Sequence, residues 1–139
     1  MKKIKIGITG CLGRMGQELI KAANKDKRIL ISSLTESKKS NKKINQLSIQ
    51  NNSIEAFKNT DVIIDFTTPE CTMQVLEIAA KLKKKIVIGT TGFTEKQENF
   101  INKLSKKISI LKSGNMSIGV NLLLYITEIV SKSLSNDFL

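Results

Sequence analysis

The chain has 139 residues, 40% of them hydrophobic, which is enough for one globular domain with a buried core. Its 23 basic and 12 acidic residues give a net charge of +11, and it has no histidine, which excludes any mechanism that needs a histidine from this chain. The sequence has no apolar run as long as a membrane span and no signal-peptide pattern, so we expect a cytoplasmic protein without a membrane partner.

Strand and helix patterns alternate along the chain. They predict a single Rossmann-type α/β domain over residues 1–139, with a doubly wound, mainly parallel sheet. The predicted strands cover residues 4–9, 29–34, a weak strand near 47–49, then 61–66, 85–88 and 108–111. The predicted helices cover residues 13–24, 53–58, 70–82, 94–105 and 118–134, and residues 37–43 are predicted to form an exposed loop. Right-handed crossovers would place every strand exit on one edge.

The first strand runs into a glycine-rich turn that opens the first helix. Gly10, Gly13 and Gly16 are spaced Gly-x-x-Gly-x-x-Gly. Such glycines allow a tight turn, a close approach to a pyrophosphate and close packing of the helix on the strand. The helix N-terminus then offers free N–H groups to phosphates. The motif predicts dinucleotide binding, and the alternative is a glycine-rich turn without a ligand.

An acidic residue follows the second strand. Glu36 comes 20 residues after Gly16, where a carboxylate can accept hydrogen bonds from the hydroxyls of an adenine ribose. Ser37, Lys38 and Lys39 come next and could contact a 2′-phosphate instead, so the residues leave NAD and NADP open. The alternative for Glu36 and the lysines is a solvated loop.

Three later strand exits carry small and polar residues. They are Asp-Phe-Thr-Thr-Pro at 65–69, Gly-Thr-Thr-Gly-Phe at 89–93 and Ser-Gly-Asn-Met-Ser at 113–117. Their amides and hydroxyls could bond a nicotinamide ring and its carboxamide. Each segment alone could be a plain turn, but together on one edge they favour a cofactor cleft. Cys11 could line this cleft, although the expected role is that of a small buried apolar group.

The positive charge raises the question of a nucleic-acid partner. The lysines are scattered rather than clustered, and the only aromatic residues are Tyr125 and five phenylalanines, so base-stacking surfaces are scarce. We therefore expect a generally cationic surface and no nucleic-acid partner. Cys11 and Cys71 form no metal motif, so we expect two free thiols and no metal site.

The motifs together resemble the 4-hydroxy-tetrahydrodipicolinate reductases, also called dihydrodipicolinate reductases, of lysine and diaminopimelate biosynthesis. They occur in that family's order: Gly7-x-x-Gly10-x-x-Gly13-Arg14-Met15-Gly16, Asp65-Phe66-Thr67-x-Pro69, Gly89-Thr90-Thr91-Gly92-Phe93 and Asn115-x-Ser117-x-Gly119-Val120-Asn121. The resemblance implies a domain that binds NADH or NADPH. The implied cofactor contacts are Gly10, Cys11, Leu12, Gly13, Arg14, Met15, Glu36, Ser37, Gly89, Thr90, Thr91, Ser113, Gly114, Asn115 and Met116.

Two positions depart from the family pattern. Ser37 stands where the family often has an arginine, which weakens the case for NADP unless Lys38 or Lys39 substitutes. Met116 stands where the family usually has phenylalanine, an apolar exchange.

The resemblance also implies a second domain, which we expect to be missing from these 139 residues. By the resemblance, that domain carries a His-His-Arg-His-Lys segment, supplies the general acid, holds the substrate and forms the tetramer. We therefore expect no catalytic residue here, no tetramer interface, and cofactor binding without turnover. The alternatives are a non-catalytic dinucleotide-binding remnant or regulatory module, and another Rossmann oxidoreductase of the homoserine or aspartate-semialdehyde dehydrogenase type.

Overall fold

The computed structural model describes residues 2–38 and 40–134, so the prediction for Lys39 lies outside the described residues. The strands are β1 (Ile4–Thr9), β2 (Ile29–Glu36), β3 (Lys43–Ile44), β4 (Leu47–Ser48), β5 (Gln50–Asn51), β6 (Val62–Asp65), β7 (Lys85–Ile88) and β8 (Ile110–Lys112). The helices are α1 (Arg14–Lys25), α2 (Ile54–Phe57), α3 (Pro69–Leu82), α4 (Glu95–Ser105) and α5 (Ile118–Leu134).

The main sheet has six strands in the order β5-β2-β1-β6-β7-β8, and every neighbouring pair is parallel. Strand β2 pairs with one side of β1, and β6, which follows later in the chain, pairs with the other side. The strand order therefore reverses at β1. This confirms the predicted doubly wound Rossmann-type sheet. Because all six strands run the same way, their carboxyl ends lie on one edge, and ligands of such sheets bind at the reversal point of that edge.

Local signals set several element boundaries. The Ser53 hydroxyl caps α2 by accepting a hydrogen bond from the Ala56 N–H at 3.1 Å. Thr94 and Gln97 form the predicted capping box at the start of α4, where each side chain meets the other residue's backbone. The Thr68 hydroxyl caps α3 by accepting a hydrogen bond from the Cys71 N–H, and that helix begins at Pro69.

The second strand and the following loop differ from the prediction. β2 extends two residues further than expected, because Thr35 and Glu36 pair with Gln50 and Asn51 of β5. The predicted loop at 37–43 ends in a hairpin of β3 and β4, and the weak strand near 47–49 is split between β4 and β5. Positive φ angles at two residues, Asn45 (51°) and Gln46 (68°), make the tight turn that joins β3 to β4.

The buried apolar side chains form two clusters. One includes Ile8, Ile20 and Leu34 around β1, β2 and α1, and the other includes Phe57 and Leu76 around β6, β7, α3 and α4. These clusters fix α1, α2, α3 and α4 on the sheet and hold the strand exits in place. On α1 the side of the helix that carries Gly16, Ile20 and Ala23 is buried, whereas Met15 in the first turn is 47% exposed.

Helix α5 lies outside both clusters. None of its residues is buried, although it carries ten large apolar side chains, and the exposure of Ile118 reaches 86%. The prediction of a helix here is confirmed, but its apolar surface packs against nothing that buries it in the described chain. Among residues 2–38 and 40–134, no helix is long and apolar enough to cross a bilayer.

Candidate functional site

The glycine turn connects β1 to α1 under tight steric limits. Gly10 has a φ of 62°, in the left-handed region, and a Cβ there would lie 2.7 Å from the Thr67 methyl carbon. A Cβ at Gly16 would lie 2.7 Å from Cys11 Cα and would also overlap the Gly10 carbonyl oxygen. Helix α1 can therefore start directly against the turn only with glycine at both positions.

The N-terminus of α1 is free to hold an anion. Gly13 is its N-cap, with an extended backbone, and no side chain accepts hydrogen bonds from the first turn. That turn contains no acidic residue, and Arg14 adds a positive charge at its start. The uncapped N–H groups and the positive end of the helix dipole are the features that bind a pyrophosphate, so this site fits a dinucleotide.

Glu36 lies beside the glycine turn. Its Oε1 accepts a hydrogen bond from the Leu12 N–H at 2.7 Å, which ties the end of β2 to the turn. The side chain is half-buried, whereas Ser37 and Lys38 are exposed. The structure thus brings the predicted ribose-binding carboxylate next to the predicted phosphate-binding turn.

Cys11 is enclosed within the turn. Its side chain is 0% exposed, its N–H donates to the Thr35 carbonyl at 3.2 Å, and its carbonyl accepts from Gln17 Nε2 at 2.6 Å. Burial, and after it the Glu36 carboxylate, raises the pKa of the Cys11 thiol to about 11. The thiol is therefore protonated at neutral pH and out of reach of a ligand, so a contact here would be made by the main chain.

The exits of β6 and β7 are joined by buried hydrogen bonds. Asp65 Oδ1 accepts from the Thr9 hydroxyl at 2.9 Å and from the Thr67 hydroxyl at 2.6 Å. The Thr67 N–H donates to Thr90 Oγ1 at 3.0 Å. Thr90 is only 4% exposed, so its hydroxyl faces this network rather than the open edge.

Asp65 has a central position in this network, whereas the sequence pattern predicts it only as part of a segment that lines the edge. The available signal was a carboxylate at the end of an otherwise nearly continuous apolar strand, which in a buried position requires partners. The partners themselves are far away in the sequence, and only the strand register brings them together.

The exits of β7 and β8 are also neighbours. A Cβ at Gly114 would lie 3.9 Å from the Thr91 methyl carbon. The Ser113 hydroxyl donates to the Asn115 carbonyl at 2.8 Å, which closes the loop after β8. Thr91, Gly114 and Met116 are exposed, whereas Gly89, Ser113 and Asn115 are partly buried.

The predicted site residues therefore lie along one edge of the sheet. Glu36 accepts a hydrogen bond from the Leu12 N–H of the turn, and Thr67 donates one to Thr90. Gly10 lies close to Thr67, and Gly114 lies near Thr91. A pocket of about 480 Å³ lined by Arg14, Met15, Glu18 and Phe66 lies next to the turn. Within the described ranges, no group of three or more metal-ligating side chains is close enough to hold an ion.

A parallel sheet of this order, with a glycine turn and an uncapped helix N-terminus at the point where the strand order reverses, defines a Rossmann-type dinucleotide-binding domain. The sequence matches the family model described as "Dihydrodipicolinate reductase, N-terminus" over residues 4–116. The chain belongs to this family, which confirms the resemblance.

Named relatives agree with this assignment. The chain is 58% identical over 139 residues to a 4-hydroxy-tetrahydrodipicolinate reductase of Pelagibacter ubique, covering 100% of this chain and 54% of that protein. It is 38% identical over 133 residues to one of Rickettsia bellii, covering 96% of this chain and 50% of that protein. The chain thus spans about half the length of the curated relatives it matches.

Solved structures share the fold. A dipicolinate-bound dihydrodipicolinate reductase from Paenisporosarcina sp. TG-14 superimposes with a TM-score of 0.77 at 22% identity, over 93% of this chain and 54% of that one. A homoserine dehydrogenase of S. aureus gives a TM-score of 0.65 at 18% identity, over 81% of this chain and 33% of that one. At these identities both likenesses concern the fold alone, and the family model carries the assignment.

Proposed function

We propose that this chain is the half of a 4-hydroxy-tetrahydrodipicolinate reductase that holds the reduced dinucleotide. The observation that carries this proposal is the uncapped N-terminus of α1 against the glycine turn, with Glu36 bonded to the Leu12 N–H at 2.7 Å. These two features offer sites for a diphosphate and for a ribose side by side. When bound, the nicotinamide supplies a hydride, and this domain binds and orients it.

The turn residues Gly10 to Met15 would hold the diphosphate. Gly13 and Arg14 begin α1, whose first N–H groups no side chain caps. A diphosphate there would accept these N–H groups and gain from the helix dipole. The Arg14 side chain is exposed at the same end and adds a positive charge.

Glu36 would accept the hydroxyls of the adenine ribose, and this favours NADH over NADPH. The carboxylate is held beside the turn by the Leu12 N–H, so a 2′-phosphate would have to lie next to a negative charge. Ser37 follows it and brings no compensating charge, and the Lys38 side chain is exposed. We therefore infer that NADH is the preferred cofactor.

The exits of β7 and β8 would receive the nicotinamide. Gly89, Thr90 and Thr91 border one side of this part of the edge, and Ser113 to Met116 border the other. Gly89 leaves room for the Phe66 ring, which a Cβ at that position would overlap. Main-chain groups of these loops are the proposed partners of the carboxamide.

In the whole protein, the hydride would pass to 4-hydroxy-tetrahydrodipicolinate after loss of water, yielding tetrahydrodipicolinate. The 139 residues contain no histidine. In this proposal the acid that protonates the substrate and the residues that hold it lie in the other half of the protein, and the tetramer interface lies there as well.

The test is direct binding of NADH and NADPH to the 139-residue chain by isothermal titration calorimetry. Replacing Glu36 with glutamine removes the negative charge that accepts the ribose hydroxyls, and hydrogen bonds to charged groups contribute about 1.5–3 kcal/mol. NADH affinity should fall by roughly tenfold or more, and the NADPH affinity should fall less. Glu77→Gln, an exposed glutamate on α3, is the matched control and should bind like the wild type.

Absence of NADH binding, or equal affinities in Glu36→Gln and the wild type, would contradict the proposal. A second measurement distinguishes half of a working reductase from a non-catalytic dinucleotide-binding remnant. The chain alone should not oxidise NADH with substrate, and adding the C-terminal half of the Pelagibacter relative should restore activity. Binding without such rescue would favour a non-catalytic dinucleotide-binding module.

A further inference from the structure

Asp65 occupies the middle of the carboxyl edge of the sheet. It is the last residue of β6, in register with Thr9 of β1 and Ile88 of β7. Its side chain is 0% exposed, and Oδ1 accepts the hydroxyls of Thr9 and Thr67. The Thr9 hydroxyl has a second acceptor, the Ile64 carbonyl at 3.1 Å, so its one hydrogen is divided between that carbonyl and Asp65.

The Asp65 carboxylate has no positive partner in the described chain. Five ion pairs join described residues, and Asp65 is in none of them. Its second oxygen, Oδ2, is buried and accepts no hydrogen bond from any described residue. A buried carboxylate in this state destabilises the fold, since desolvation is not offset by a cation.

This buried charge lies close to the exit of β7. The Thr67 hydroxyl donates to Asp65 at 2.6 Å, and the Thr67 N–H donates to Thr90 Oγ1 at 3.0 Å. Thr67 therefore links Asp65 to Thr90, because it donates one hydrogen bond to each of them. In the proposed function, which this inference rests on, Thr90 borders the nicotinamide.

We propose that Asp65 is a positioning residue whose buried charge makes the site favour the oxidised nicotinamide over the reduced one. Loss of a hydride, with its electron pair, to the acceptor turns a neutral dihydronicotinamide ring into a ring with one positive charge. An uncompensated negative charge nearby stabilises only the second form. The dinucleotide thereby becomes a stronger hydride donor.

The expected size of the effect follows from Coulomb's law. Two unit charges on the order of 10 Å apart in an effective dielectric constant of about 20 interact strongly enough that removing one would change the relative affinity for the two forms by roughly tenfold. Contacts to the adenosine, the riboses and the diphosphate cancel from this ratio, because the two ligands differ only at the nicotinamide ring. The ratio therefore reports the surroundings of the ring, and a control that keeps the Asp65 charge separates charge from packing there.

The experiment measures the dissociation constants of NAD⁺ and NADH for the 139-residue chain and its variants by calorimetry. Asp65→Asn keeps an oxygen that can accept both threonine hydroxyls but removes the charge. We expect its affinity for NAD⁺ relative to NADH to fall roughly tenfold. Circular dichroism melts establish that the variant is folded, and Asp65→Ser takes its place if it is not.

Thr67→Val is the matched control, because it removes one hydrogen bond to Asp65 and keeps the charge. It should raise the dissociation constants of NAD⁺ and NADH by the same factor and leave the ratio of the two constants unchanged. An unchanged ratio in Asp65→Asn, or an equal change of ratio in Thr67→Val, would overturn the inference. Failure of the wild type to bind either form would instead overturn the proposed function.

Discussion

Replacing Gly16 with alanine tests the packing of α1 against the glycine turn. The new methyl group would lie 2.7 Å from Cys11 Cα, where ordinary contact begins at 3.4 Å, so helix and turn must separate by at least about 0.7 Å. The obstructing atoms belong to the backbone and cannot rotate away. Overpacking of this kind costs about 1–3 kcal/mol, which corresponds to a fall in Tm of about 3–10 °C for a domain of this size.

The same displacement would move the first N–H groups of α1 away from the position that suits a diphosphate. Thermal melting followed by circular dichroism, with and without NADH, measures both effects. A ligand at 100 times its Kd stabilises the wild type by about 2.7 kcal/mol, and we expect Gly16→Ala to lose more than half of that gain.

Gly119→Ala is the matched control, since it makes the same chemical change on a helix in open space. A Cβ there would meet nothing nearer than the Ser117 hydroxyl at 3.9 Å. This variant should be at least as stable as the wild type, because alanine favours helix over glycine. A Gly16→Ala variant with wild-type stability and a full response to NADH would refute the steric reasoning.

Three further predictions concern other parts of the chain. Thr94→Ala removes the capping box of α4 and should lower the free energy of urea unfolding by about 1 kcal/mol without changing NADH affinity. The pKa of Cys11 is raised from 9.0 to about 11 in the folded state. Between these pH values the folded state keeps a proton that the unfolded state loses. The stability that this proton contributes is fully present below pH 9 and is lost as the pH rises towards 11. Urea titrations across that range should show a steeper loss in the wild type than in Cys11→Ala, by up to roughly 2–3 kcal/mol, and parallel curves would contradict this. Leu123→Lys on exposed α5 should leave the unfolding free energy within about 0.5 kcal/mol and reduce self-association in light scattering, whereas a large destabilisation would show that α5 is packed.

Local sequence signals were sufficient for much of the fold. The bounds of β1 and β7 and the capping box of Thr94 were predicted because each depends on residues close together in the chain. The end of β2 was not, because Thr35 and Glu36 become strand residues only by pairing with Gln50 and Asn51. The turn at Asn45 and Gln46 was missed since neither residue is a glycine, the usual signal for positive φ.

Some residues of the candidate site could likewise be predicted from local sequence, and others could not. The glycine turn and Glu36 have characteristic spacing, and the structure brings them within a hydrogen bond of each other through Leu12. Asp65 has no comparable signal, because its contact with Thr9 joins residues 56 positions apart.

The uniform exposure of α5 has a consequence for mutational tolerance. In the described structure no residue of Ile118–Leu134 is buried, so polar replacements along it should leave the stability of the 139-residue chain nearly unchanged. A scan of substitutions selected for activity of the whole protein would show which of these positions reject polar residues. The positions that reject polar residues would identify the part of α5 that is in contact with another surface in the whole protein.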